Sequence, residues 1–355
     1  MFCAQNAAGK WVNLLQEQTE VEKSDQYTCP GCGQPVYLKR GQLKRPHFAH
    51  YKEGCDSFAE GETLEHLTLK ASFFQWAQKA GYQPQLEAYL PEIAQRPDIL
   101  LNDRTALEIQ CSPLKLARLI ERTRHYLEAG YQVIWIGGER FGWQRHLTQL
   151  QRAFCQYTPK RGVYFWQADW RKGQLHLFYH LKQTLQRTLA RQQTFILQHS
   201  NLRTVFAYQP EVAETADRLT EVIDFYRGLQ RGLQQQKTYA RNLQMAFYQQ
   251  HQHVLYLPLV YYMQPRYEIF WREPDLYQRF RWWRCQDATA FSAADQHQMP
   301  QITEAQRWRI WQQEVDGLAT LPKYFWLQTA TGDSTELLQL FSKGMGGTSK
   351  GSVIR

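Results

Sequence analysis

The stretch RPDILLNDRTALEIQCS, residues 96–112, decides how the region around it folds. Two apolar segments, Pro97–Asn102 and Thr105–Gln110, meet at Asn102, Asp103 and Arg104, which read as a hairpin turn. Asp98 opens the first strand and Glu108 lies near the end of the second, so the hairpin carries both carboxylates to one end of a sheet. Gln110 lies two residues beyond Glu108 and therefore faces the same side. Two hard oxygen ligands with open positions beside them suit Mg²⁺ or Mn²⁺, which activates water and neutralises phosphate charge. The bland alternative is a pair of solvated acids at strand ends.

Upstream, GETLEHLTLKASFFQWAQKAG (residues 61–81) repeats Leu64, Leu67, Ala71, Phe74 and Ala77 at helical spacing, with Gly81 as a stop. Gln83–Leu90 supplies a third extended segment. Downstream, Ser112 and Pro113 suit an N-cap and first turn for a helix reaching about Ala129 and closed by Gly130. The run Tyr131–Ile136 (YQVIWI) then reads as a strand buried on both faces. Helix, three strands, helix, strand is an α/β order in which the last strand joins the sheet through a helical crossover. On the first helix, Glu65 is placed to approach as a third carboxylate, near His66 and Lys70. Lys70 is four residues from His66 but five from Glu65, so it shares a face with the histidine.

A separate cluster lies in the first 60 residues, a Gly-rich segment short of bulky core residues that needs a metal or a neighbour to hold it. Cys29-Pro-Gly-Cys32 turns two sulfurs toward one point, and His47-Phe-Ala-His50 and Cys55 follow. Structural Zn²⁺ on Cys29 and Cys32, plus two of His47, His50 and Cys55, satisfies a tetrahedral site. The alternatives are two free thiols with packed histidines, or one histidine reaching the carboxylate pocket. The chain has seven cysteines, an odd number at irregular spacing, which argues against a disulfide framework.

At 355 residues the chain exceeds one ordinary core, and with 43% hydrophobic and 14% aromatic residues it is a folded protein rather than a disordered one. Its longest apolar run, Val254–Met263, is too short to span a bilayer, and the reading is a cytoplasmic protein. Up to Arg140 there are 16 Lys/Arg against 17 Asp/Glu; the remainder has 26 against 16. Arginines among aromatics there suit a polyanion such as single-stranded DNA, or merely keep a helical domain soluble. Helical patterns fall at Leu181–Leu197 and Ala213–Gln250, with a hairpin-like section at Val163–Tyr179. Arg279, Arg281 and Arg284 beside Trp282 and Trp283 are a DNA-contact guess, with core burial of the tryptophans as the competing reading. Lys343–Arg355 reads as a flexible tail.

These motifs resemble two nested families. Pro97-Asp98 with Glu108-Ile109-Gln110, in this element order, resembles the PD-(D/E)xK nuclease superfamily, with Gln110 where a lysine is usual. CPGCG, PHFAH, LEHLTLK, RPDILL, LEIQCS and RTRHYLEAGYQVIWI resemble the competence protein CoiA family over residues 29–136. The resemblance implies a zinc-ribbon-like module (1–60), a restriction-endonuclease-like αβββαβ core (61–144), a mainly helical basic and aromatic domain (145–342) and the tail (343–355). It implies catalytic Glu65, Asp98, Glu108 and Gln110, with Asp98 and Glu108 on Mg²⁺ or Mn²⁺. His66, Lys70, Ser112, Arg122, Arg124 and Tyr126 become substrate contacts, the last three through an R-x-R-x-Y match. The implied role is metal-dependent cleavage of internalised single-stranded DNA during transformation, near recombination proteins. The competing reading is a non-catalytic DNA-binding recombination mediator on a nuclease-like scaffold.

Overall fold

The computed structural model describes residues 1–16, 21–22, 24–30, 32–42, 44–51, 63–183, 187–211, 218–263, 268–270, 275–285 and 299–319. Cys55, the tail and the side chains of Trp282, Trp283 and Arg284 lie outside the described residues. The described part falls into two units, the first built on Met1–Tyr179 and Arg191–Pro210, the second on His180–Ala190, residues 211–297 and residues from Ile302 on.

The first unit begins with a small antiparallel sheet of five short strands: β1 (Cys3–Asn6), β2 (Trp11–Asn13), β3 (Tyr27–Thr28), β4 (Pro35–Lys39) and β5 (His47–His50), in the order β2-β1-β3-β4-β5. Phe2, Val12, Tyr27, Val36, Leu38 and Phe48 bury one face of it in a core shared with the first helix.

That helix, α1 (Leu64–Lys79), starts at Thr63, whose hydroxyl accepts the His66 amide, and it buries Leu67, Ala71, Phe74 and Ala77, the stripe its sequence shows. β6 (Pro84–Leu86), β7 (Ile99–Leu101) and β8 (Thr105–Gln110) follow as an antiparallel meander. The β7–β8 turn works because Asn102 (φ 48°) and Asp103 (φ 53°) accept the left-handed conformation that most side chains avoid. α2 (Leu116–Glu128) crosses over to β9 (Gln132–Gly137), which runs parallel to β8. The helix, three strands, helix, strand order is therefore present. α2 starts later than Ser112 and Pro113 suggest: its N-cap is Lys115, and the Ser112 carbonyl instead accepts a bond from the Gln110 side chain.

Past residue 144 the chain first adds a short helix, α3 (Gln149–Phe154), and then more sheet. β10 (Gln156–Thr158) and β11 (Gly162–Asp169) precede β12 (Gln174–Gln183) and β13 (Thr188–Ile196), and the large sheet runs β13-β12-β11-β9-β8-β7-β6, with β10 on β11. The β11–β12 hairpin matches the extended pattern of Val163–Tyr179. The helix expected over Leu181–Leu197 is a misreading, since described residues there form the end of β12 and β13. Leu181, Leu189 and their neighbours mimic helical spacing, but pairing into the sheet decides the conformation.

From residue 211 on, the described part of the second unit is mainly helical. α4 (Leu202–Ala207) belongs to the first unit; α5 (Arg218–Gln234) and α6 (Thr238–Tyr248) touch and are joined by a turn with Gln236 at φ 52°. Val254, Leu257, Leu259, Val260 and Tyr262 of the apolar run pack into its core beside α7 (Asp275–Cys285). Arg279 of α7 is buried and donates to the Val260 carbonyl at 2.6 Å, so this arginine is a core residue and not a DNA contact. α8 (Glu304–Ala319) completes the described chain. No helix among the described residues is long and apolar enough to cross a membrane.

Candidate active site

The antiparallel register pairs Ile99 with Leu107, which puts Asp98, one residue earlier, across from Glu108, one residue later. Opposite residues of an antiparallel pair share a face with Cβ atoms about 5 Å apart. The two acids are therefore neighbours, as the hairpin implies, yet each carboxylate is engaged. Asp98 Oδ1 accepts from His66 Nε2 at 3.1 Å and from Lys70 Nζ at 3.0 Å, and Oδ2 accepts the Ile109 amide at 2.8 Å. Glu108 Oε1 accepts from Arg122 Nη2 at 2.5 Å and from the Tyr126 hydroxyl at 2.7 Å.

These partners follow from helix geometry. His66 and Lys70 are four residues apart on α1 and reach the same oxygen; Arg122 and Tyr126 are four apart on α2 and do the same. Arg124 lies on the exposed side of α2 and is not brought to the acids. Glu65 Oε1 accepts the Glu139 amide at 2.5 Å. Gln110 is buried, and its Nε2 donates to the Ser112 carbonyl at 2.8 Å, so its amide is held by backbone.

Electrostatics separate the two central acids. Burial pushes Glu108 up to about 7, the neighbouring Asp98 charge adds to this, and Arg122 and Tyr126 only partly offset it. Burial acts on Asp98 in the same direction, but His66, Lys70 and the Ile109 amide outweigh it and hold Asp98 well below the usual carboxylate range. Burial likewise raises Glu65, with the Glu139 charge also raising it against the bond from the Glu139 amide.

A carboxylate offers about four lone-pair sites. Asp98 uses one on Oδ2 and two on Oδ1, and the bonds to Glu108 both fall on Oε1. Capacity thus remains on Asp98 Oδ2 and Glu108 Oε2, and the mutual repulsion of the two acids is what a divalent cation relieves. The donor set fits a hard cation.

Three residues at this site escape the sequence reading. Glu87, just after β6, is buried and binds Lys70 Nζ at 2.8 Å. Cys111 sits where burial, Glu65 and Asp98 all raise its thiol pKa. Gly138, just after β9, leaves room for both: a Cβ there would lie 2.8 Å from Cys111 Sγ and 3.0 Å from the Glu65 carboxyl carbon. The parallel register of Gln110 with Gly137 is the available clue for the glycine; nothing in the local sequence singles out Glu87.

In the small sheet, Cys29, Cys32 and His50 place their ligand atoms within 4.8 Å of one another, a group that can hold a metal ion. Cys32 Sγ lies 3.4 Å from His50 Nε2. Zinc bonds of about 2.3 Å to sulfur and 2.0 Å to nitrogen, at the tetrahedral angle, set that edge at about 3.5 Å, so the residues fit zinc. The knuckle closes through the Gly33 amide to the Cys29 carbonyl at 2.8 Å, with Gly33 at φ 68°. His47 is excluded from the group. Residues three apart on β5 face opposite sides, and His47 Nδ1 instead pairs with the Arg45 carbonyl at 2.9 Å. Cys3, Cys29, Cys32, Cys111 and Cys155 are in no disulfide.

Paired acids on adjacent strands, flanked by helix-borne cations, mark the large sheet as a nuclease-like α/β domain. The family model for the competence protein CoiA nuclease-like domain matches residues 62–210, and that for the CoiA N-terminal domain matches residues 13–58. The chain belongs to the CoiA family. The nuclease-like match ends at 210 and so takes in β11, β12 and β13. Competence protein CoiA of Bacillus subtilis (strain 168) is 29% identical over 166 residues, or 42% of this chain and 44% of that protein, so the likeness spans less than half of the relative. No solved structure matches.

Proposed function

We propose that the chain is a metal-dependent deoxyribonuclease acting on phosphodiester bonds of internalised single-stranded DNA during transformation. The observation that carries this reading is the Asp98–Glu108 pair, two acids opposed across β7 and β8 with lone pairs left over, whose repulsion adds to the burial that raises Glu108. Asp98 and Glu108 would hold Mg²⁺ or Mn²⁺, which supplies water activation and charge neutralisation at phosphate. Arg122 and Tyr126 fix the position of Glu108 from α2, while His66 and Lys70 fix Asp98 from α1. Zinc on Cys29, Cys32 and His50 is structural and stiffens the small sheet. DNA is the partner, in the cytoplasm, with recombination proteins acting on the same strand.

A second reading has its own observation: Gln110 carries no charge and is tied to the Ser112 carbonyl, so the strand lacks the usual lysine. On that reading the chain is a non-catalytic DNA-binding mediator. Cleavage of labelled single- and double-stranded DNA with Mg²⁺ or Mn²⁺ separates the two. Loss of cleavage in Asp98→Ala and Glu108→Ala supports the nuclease; salt-dependent binding with no cleavage by the wild-type chain supports the mediator.

A further inference from the structure

We propose that the small N-terminal sheet is part of the catalytic apparatus: through Glu87 it holds the Lys70 ammonium against Asp98, so that Lys70 is the catalytic cation on Asp98 and Glu87 its positioning residue. This rests on the nuclease reading.

Glu87 is 1% exposed and its backbone is left-handed, at φ 52°. Its carboxylate accepts the Phe2 amide at 2.9 Å on Oε1 and the Cys3 amide at 3.0 Å on Oε2, both at the start of β1. The same carboxylate accepts Lys70 Nζ at 2.8 Å, and Lys70 reaches Asp98 Oδ1 at 3.0 Å. The Glu87 amide donates to the Asp98 carbonyl at 3.1 Å, which ties the two acids through backbone as well. A continuous line of bonds therefore runs from β1 amides to Glu87, to Lys70, to Asp98.

Stability alone does not account for this arrangement. A glutamate in left-handed backbone is strained, and a buried ion pair loses its hydration, so the Phe2 and Cys3 amides alone would be served as well or better by a neutral acceptor in relaxed backbone. Strain and buried charge placed on one residue beside a functional acid point to positioning. The charge requirement is visible in the same structure: Gln110, two residues after Glu108, is neutral and held by the Ser112 carbonyl, whereas Lys70 delivers its charge to Asp98 from α1. The inference makes the N-terminal sheet indispensable to cleavage without any contact between it and DNA.

The test is a double-mutant cycle with Lys70→Met, Glu87→Gln and the two combined, reading both denaturation midpoint and metal-dependent DNA cleavage. Each single change leaves a buried charge short of its partner and lowers the midpoint; the pair removes both charges and recovers most of it. The expected result is that cleavage by the double variant stays at least about 100-fold down in kcat, with KM for DNA within a few-fold of wild type. Cleavage that recovers along with the midpoint overturns the inference, while inactive Asp98→Ala in the same assay leaves the nuclease reading standing. A wild-type chain that never cleaves removes both. Should the double variant not fold, Lys70→Ala decides through added ethylamine: rescue by the amine and not by propane-like or alcohol analogues supports the inference, and absence of amine-specific rescue overturns it.

Discussion

Replacing His50 by Ala, with His47→Ala as its partner experiment, tests how the small sheet is held. Structural zinc in small modules is bound with about 10–16 kcal/mol, and an even share among four ligands is about 3 kcal/mol for each. At roughly 1.4 kcal/mol per decade, losing one ligand weakens binding by about two orders of magnitude. His50 Nε2 lies 3.4 Å from Cys32 Sγ, whereas His47 is turned to the other face of β5 and bonded to the Arg45 carbonyl. His50→Ala and Cys32→Ser should therefore each lower zinc affinity about 100-fold in competition with a chromogenic chelator. His47→Ala should keep zinc and lose only stability, because His47 is buried. Equal zinc loss in the two histidine variants, or a wild-type chain that binds no zinc, would refute the reasoning from strand geometry.

Gly138→Ala drives a methyl toward Cys111 Sγ and the Glu65 carboxylate, and should cost about 1–3 kcal/mol in denaturant unfolding as an overpacked site; an unchanged midpoint would mean the two side chains move aside freely. In chelator-treated protein, Glu108 is raised from an ordinary value of 4.5 to about 7. The folded chain then keeps a proton that the unfolded chain has lost between those values, so unfolding free energy falls as pH rises through that window, by roughly 3 kcal/mol at most. Glu108→Gln should flatten that slope, measured as midpoint against pH; a slope that persists would assign it to another group.

Local chemistry made much of this site legible before any coordinates. The Asn102–Asp103 turn, the α1 stripe and the four-residue spacings His66–Lys70 and Arg122–Tyr126 each follow from rules that act over a few residues. Arg124, midway in the same motif, faces the other way for the same periodic reason. What stayed hidden involves partners distant along the chain. Glu87 is an unremarkable acid until β1 folds onto it, and β13 looks helical until the sheet offers it a neighbour.

The sequence by itself determined the order of elements, the pairing of Asp98 with Glu108 and a Cys and His cluster able to hold a metal, because turn residues, periodicity and ligand spacing are local properties. Only the tertiary structure decided that His50 and not His47 joins the cysteines, that Glu65 turns to the Glu139 amide, and that both central acids are held by cations from two helices. Those outcomes depend on which groups meet across the core, where burial and unpaired charge set the free energy.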